Sequence, residues 1–316
     1  MQSAADAPGR ILIAHPDRRG QRALHRILGA VLRPVEIVGD ADALATALAA
    51  APARAVVVEM GTALARPELP QQTPSAAWIA VPGDDSQPAD ADAMRALLSS
   101  GWQHVIGHPM PMLAEELVAT VQKAMRGDLF GLEKYVSWGA ALREVALADT
   151  GAREGAVAEL ARDVVDAGQP ERVASLASVV ADELLSNALY AAPVDDQGQH
   201  IRAGERRGAP RRLDEREVVT LRWACDGRYL GIEVRDHWGS LDPAAIGPQL
   251  AEAGTSRPPR DQGMGLPLVY ACSHQLVINL EPAAVTEVIA LVDVRFRPAE
   301  LGRSASFHVF VTGGAS

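Results

Sequence analysis

Short apolar runs alternate with helically spaced apolar positions through the first third of the chain. Arg10-Ile-Leu-Ile-Ala14 reads as a buried strand, and Leu24, Ile27, Leu28 and Val31 then recur at helical spacing. The alternation continues through Val35-Glu-Ile-Val38, an Ala/Leu helix over 41–50, Ala55-Val-Val-Val58, Ala77-Trp-Ile-Ala80 and Val105-Ile106. Short strands separated by helices predict a doubly wound parallel sheet, because parallel neighbours need a crossover connection. Leu113, Leu117, Val121 and Met125 share one face of a last helix, which Gly127 ends.

From Leu129 to Ala167 the residues favour helix, with interruptions at Gly131, Thr150-Gly151 and Gly155, so 127–154 is expected to be a helical linker rather than a tether. Pro170 introduces a further helix with Leu176, Val180 and Leu184 on one stripe and Val179, Glu183 and Asn187 on the next. Glu217–Ala224 and Tyr229–Arg235 alternate as strands do, and Asp226-Gly227 between them is a tight-turn signal, which predicts a hairpin. Gln275–Leu280, Val288–Val294 and Ser306–Val311 read as further strands.

Composition narrows the class. At 316 residues and 48% hydrophobic, the chain is long enough for two ordinary domains. It has no apolar stretch near the roughly 20 residues that span a bilayer and no secretory pattern ahead of Ile11, so a cytoplasmic protein without membrane attachment is expected. The two cysteines, Cys225 and Cys272, form no CxxC pair, which argues against a zinc knuckle or disulfide framework. A net charge of −10 argues against general nucleic-acid binding.

Candidate chemistry gathers in the C-terminal half. Glu183 and Asn187 emerge one helical turn apart, so a carboxylate that can position or deprotonate an attacking group stands beside an amide oxygen that can coordinate Mg²⁺. Asp236 ends a hairpin strand, where one reading is a structural strand-end acid. Gly263-Met264-Gly265-Leu266 offers small residues that let backbone N–H groups approach phosphate at a helix start. Ahead of it, Arg257 and Arg260 either neutralise phosphate or stay solvated.

The order and spacing of Ala181-Asp-Glu-Leu-Leu-Ser-Asn-Ala188, Val234-Arg-Asp-His-Trp-Gly-Ser240 and Gln262-Gly-Met-Gly-Leu266 resemble the nucleotide-binding boxes of the ATPase superfamily shared by histidine kinases, Hsp90, type II topoisomerases and anti-sigma-factor serine kinases. The resemblance covers 155–316 and implies an α/β sandwich, a mixed antiparallel sheet under helices. It also implies ATP and Mg²⁺ as cofactors, with Asn187 as the Mg²⁺ ligand, Glu183 as general base, Asp236 on adenine, and residues 253–262 as a lid anchored by the glycine box. Where the superfamily has Asp-x-Gly-x-Gly, this chain has Asp236-His-Trp-Gly239-Ser: Trp238 either stacks on, walls off or obstructs the base, and Gly239 compensates in part for the missing glycine.

Residues 1–126 resemble a response-regulator receiver domain with nearly every reactive position altered. Asp17 stands for the acidic pair, Glu59 for the phosphorylatable Asp, Ala80 or a neighbour for the hydroxyl residue, and His108-Pro109 for Lys-Pro. In-line attack tolerates little misplacement, so Glu59, longer by a methylene, points to a pseudo-receiver used for docking or dimerisation; alternatively Glu59 and His108 cap strand ends. No histidine occurs between Pro109 and Gln199, so the phosphoacceptor helix of a conventional sensor kinase is missing. Residues 195–216 hold Arg202, Arg206, Arg207, Arg211, Arg212 and Arg216 among glycines, and are expected to be a mobile basic insertion: either a solvated loop or a clamp for an acidic partner or for nucleic acid.

Together these readings describe a cytoplasmic signalling protein in which a degenerate receiver precedes a kinase-like ATPase domain. It would phosphorylate Ser/Thr, or less readily His, on a partner such as a response regulator or sigma-factor regulator. The alternatives are an ATP-gated switch without turnover and a pseudokinase scaffold, with homodimerisation open in each.

Overall fold

The computed structural model describes residues 9–84, 86–202, 204–205, 209–253, 265–295 and 305–313. The protein is mixed α/β and divides into two compact units. The first runs to Leu129 and takes back Ser306–His308; the second comprises Phe130–Ala305 and Val309–Thr312.

In the first unit, β1 (Ile11–Ala14), β2 (Val35–Val38), β3 (Ala55–Glu59), β4 (Ala77–Val81) and β5 (His104–Val105) lie parallel in the order β2-β1-β3-β4-β5. The crossovers carry α1 (Arg18–Leu28), α2 (Ala41–Ala50), α3 (Met60–Ala65), α4 (Leu69–Gln72) and α5 (Ala91–Ser99), and α6 (Met112–Arg126) follows β5. Ile11, Ile13, Val57, Ile79 and Val81 pack with Leu24 and Leu28 of α1 and Leu113, Leu117 and Val121 of α6 in one core cluster. The alternate strand residues Leu12, Val56 and Ala80 are buried as well, so both faces are covered, which is why these strands read as continuous apolar runs. Asp17, Asp40 and Asp90 cap α1, α2 and α5 by accepting from the Gly20, Ala43 and Ala93 N–H groups, at about 1 kcal/mol each. The first residues of β11 (Ser306–Val311) run antiparallel to β5, with Phe307 opposite Val105 and His308 opposite His104.

In the second unit, β6 (Arg143–Leu147), β7 (Val219–Cys225), β8 (Tyr229–Asp236), β9 (Gln275–Glu281) and β10 (Val285–Asp293) form antiparallel pairs in the order β9-β10-β8-β7-β6. The β7–β8 turn is the predicted one: Gly227 takes φ +84°, and Asp226 accepts from the Arg228 and Tyr229 N–H groups. Helices α7 (Arg153–Asp166), α8 (Glu171–Ser186), α9 (Pro243–Ala253) and α10 (Gly265–Cys272) belong to this unit, with α8 packed on α7, α10 and β8. The α8 helix continues into a π turn over Asn187–Ala191, where the Ala192 N–H donates to the Asn187 carbonyl at 2.8 Å.

The segment 127–154 differs from the helical linker its composition suggests. It holds 3₁₀ turns at Leu132–Lys134 and Thr150–Ala152 and the strand β6, which pairs with β7 from Arg143↔Trp223 to Leu147↔Val219. Gly131 at φ +111° and Gly139 at φ +87° break any helix, and satisfying the backbone edge of β7 outweighs the weak helix propensity of the Arg-Glu-Val-Ala-Leu run. The domain limits shift accordingly: 130–154 belongs to the second unit, and Ser306–His308 to the first.

Candidate functional site

In the second unit, a cavity of about 320 Å³ is lined by Asn187, Asp236, Gly265 and Leu266, which come from three separate stretches of sequence. The π turn sets part of this wall by bringing Asn187, Ala188 and Ala191 to the same cavity. Val234, Thr286 and Val288 contribute from β8 and β10, and Thr286 lies directly opposite Asp236 in the ladder. Ser240 also lines the cavity and is fixed by its hydroxyl donating to the Ala192 carbonyl at 2.7 Å.

Asp236 is a buried acid of the site. Its carboxyl is buried at the end of β8 and accepts from the Trp238 N–H at 2.9 Å. Burial pushes its pKa up to about 6, only partly offset by the Trp238 and Gly239 N–H groups and by Thr286. A buried acceptor at a cavity wall fits the exocyclic amine of a purine.

Asn187 and Gly265 are in close approach: a Cβ on Gly265 would lie 2.7 Å from the Asn187 side-chain amide. Only glycine leaves this amide its place at the start of α10. Asn187 offers one amide oxygen here, and a Mg²⁺ ion would need the phosphates of a ligand to complete its shell. Among the described residues there is no cluster of three or more His, Cys, Asp or Glu that would hold a metal without such a ligand. The cavity's described ionisable residues are Asp236, Asp242 and His200. The sequence-selected Arg257, Arg260, Gly263 and Met264 lie outside the described residues.

Other selected residues fall elsewhere. Glu183 is half-buried on α8 one turn before Asn187 and is not among the described residues lining the cavity. Gly239 serves backbone geometry: it takes φ +58°, and a Cβ there would lie 2.2 Å from the Glu281 carbonyl oxygen. Trp238 is buried, is not among the cavity-lining residues, and carries the Arg216 guanidinium 4.3 Å above its ring.

The described part of the basic insertion is folded against its unit. Arg202 and Arg211 converge on buried Glu217 at 2.9 and 2.6 Å, both also pair with Glu205, and the Thr150 hydroxyl donates to the Ala209 carbonyl. Arg206 and Arg207 lie outside the described residues. This fold carries His200 to the cavity through a bridge with Val194. His200 and Thr286 escaped the sequence reading: nothing local marks either one, and the register of β10 on β8 is needed to place Thr286 beside Asp236.

In the first unit the receiver-like carboxylates and His108 are engaged in local contacts, and Asp17 lines a cavity with His15, Gly83 and Asp84. Asp17 caps α1, and Glu59 caps α3, accepting from the Gly61 and Thr62 N–H groups and the Thr62 hydroxyl at 2.6, 2.8 and 3.0 Å. A Cβ on Gly83 would lie 2.7 Å from the Glu59 carboxylate, so the carboxylate is closely walled. His108 is bonded to Glu116 at 2.8 Å, and Glu116 also meets His308 at 2.7 Å. Burial alone would raise the Glu116 pKa, but the His108 charge and the bonds from His108 and His308 outweigh it and hold the carboxyl well below the usual range. Burial, with the His308 and Lys123 charges, drives His104 toward its neutral form.

No protein-family model matches the chain, and no curated protein matches it in sequence. Among the described residues, no helix is long and apolar enough to cross a membrane.

Proposed function

We propose that the second unit binds Mg·ATP as a module of the histidine-kinase-like ATPase type, an α/β sandwich, and that the first unit is a pseudo-receiver. The convergence of Asn187, Asp236 and the Gly265-Leu266 pair on one cavity carries this reading, since the three segments are remote in sequence. In it, Asp236 accepts the adenine amino group, Asn187 offers its amide oxygen to Mg²⁺, and the start of α10 faces phosphate. When bound, Mg·ATP supplies a transferable phosphoryl group. Glu183, one turn from Asn187, would act as base toward a hydroxyl or imidazole of a partner protein such as a response regulator or sigma-factor regulator in the cytoplasm.

A second reading, an ATP-gated partner switch without turnover, is favoured by one observation: Glu183 is outside the set of described residues that line the cavity. The capping roles of Asp17 and Glu59 argue against phosphotransfer by the first unit in either case.

Calorimetric titration of ATP and GTP with Mg²⁺ into wild type and Asp236→Asn tests the nucleotide site. Saturable ATP binding, weak GTP binding and loss in the variant are expected; a folded protein that binds neither nucleotide would sink both readings. Glu183→Ala then separates them, because it abolishes phosphoryl transfer in the first and leaves ATP-dependent association intact in the second.

A further inference from the structure

The two faces of the β8–β10 pair differ in chemistry. Val234 and Asp236 of β8, with Thr286 and Val288 of β10, line the cavity. Successive strand residues point to opposite faces, so Glu233, Arg235 and Glu287 lie on the back of those same strands. Glu233 and Glu287 are both 0% exposed there.

The segment that closes over them is the first stretch of the second unit, Phe130–Lys134. The Gly131 N–H donates to both Glu287 oxygens, at 2.9 and 3.1 Å, and the Leu132 N–H donates to Glu233 at 2.7 Å. Leu132 is fully buried and packs so tightly on Gly231 of β8 that a Cβ there would lie 2.6 Å from its Cδ1. Gly131 presents its amide from φ +111°, a conformation glycine adopts at low cost.

An amide and two guanidinium groups from the sheet complete the arrangement. Asn279 of β9 donates to Glu287 at 2.7 Å, Arg235 pairs with Glu287 and stands 3.5 Å from Glu233, and Arg222 of β7 stands 3.3 Å from Glu233. Burial and the Glu287 charge nevertheless push the Glu233 pKa up, against Arg222, Arg235 and the Leu132 N–H. Two buried carboxylates on adjacent strands repel each other, and their donors, together with the proton that the raised Glu233 pKa favours, offset that cost. Lifting the strap would remove backbone donors from both at once.

We infer that Glu233 and Glu287 are positioning residues of the cavity: by gripping the Phe130–Lys134 strap on the back of β8 and β10, they hold the register that sets Asp236 opposite Thr286 on the front, so that strap docking and nucleotide binding are coupled. The coupling is reciprocal by linkage, so nucleotide tightens the strap as much as the strap tightens nucleotide binding. The identity of the ligand rests on the ATP reading above; the positioning itself does not.

The test uses the full chain and two variants that strike from opposite sides, Glu287→Gln on the sheet and Leu132→Ala on the strap. Hydrogen exchange at the Gly131 and Leu132 amides, ATP titration, and carbon-13 NMR titration of the Asp236 carboxyl are followed in each. In wild type, Mg·ATP is expected to slow exchange at both amides about tenfold; both variants should lose strap protection, bind ATP about tenfold more weakly, and move the Asp236 midpoint. Lost strap protection with wild-type affinity and an unmoved Asp236 midpoint would overturn the inference. Should wild type bind no ATP, the nucleotide reading falls, and the Asp236 midpoint in Leu132→Ala decides the positioning alone: movement supports it and constancy overturns it.

Discussion

Asp236 carries its carboxyl into a buried position at the end of β8, and burial raises its pKa to about 6 from an ordinary 3.8. A raised folded-state pKa means that the folded protein holds the proton more tightly than the unfolded chain. The resulting stability is complete below pH 3.8 and is lost as the pH rises through about 6. At pH 7 the ionised carboxylate therefore costs on the order of 3 kcal/mol. Asp236→Asn should be more stable than wild type in urea at pH 7, by up to about 3 kcal/mol, with the gain vanishing near pH 4. ATP affinity should move the other way and weaken as the pH falls below 6, because a protonated carboxyl is a poorer acceptor for the adenine amine. An Asn variant less stable at pH 7 would show instead that the carboxylate is structural. Gly239 gives the contrasting case, because its φ of +58° and its approach to the Glu281 carbonyl exclude a side chain. Gly239→Ala should destabilise by more than about 1 kcal/mol at every pH, measured by the same urea transitions.

Elements show how far local signals reach. The β7–β8 hairpin was legible because Asp226-Gly227 sits between two alternating runs, and α8 because Pro170 and the Leu176, Val180, Leu184 stripe mark it. The strand β6 was not legible: its residues favour helix weakly, and only the free edge of β7 makes them extended. Nor was the π turn, whose extra residue per ring leaves no trace in a hydrophobic pattern. The basic insertion misled for a different reason, since its arginines suggest a solvated loop until Glu217, at its C-terminal flank, is seen to hold two of them. Glu217→Ala should cost about 2 kcal/mol, less than a fully buried pair because both arginines are partly exposed. Exchange of the amides over 209–213 should rise with it, and ATP binding should weaken as His200 loses its place at the cavity. Unchanged exchange would mean that the contacts of Thr150 with this segment suffice to hold it.

At the scale of the whole molecule, both units draw on the last strand. The apolar run at 306–311 was legible as a strand, but its division was not: His308 faces His104 across some two hundred residues of sequence, and no local pattern encodes such a pairing. His308 is one of two histidines that hold Glu116 ionised inside the first unit. Deleting residues 306–316 should therefore destabilise that unit, although the deletion lies far from it in sequence, and should raise amide exchange along α6. His108 stays bonded to Glu116 in the truncated chain, so the loss at pH 7 should be about 2 kcal/mol, below the cost of a buried charge left wholly uncompensated. The sign with pH follows from the depressed pKa of Glu116. Its contribution is present above the ordinary carboxylate range and fades as the pH falls toward the lower folded value, so the deletion should hurt less at pH 3 than at pH 7. Glu116→Gln separates lost charge pairing from lost strand pairing. If the carboxylate's lost bond to His308 dominates, the substitution should cost less in the truncated chain at pH 7 than in the intact one. Equal effects in both chains would assign the loss instead to the hydrogen bonds and packing that Phe307 and His308 make beside β5.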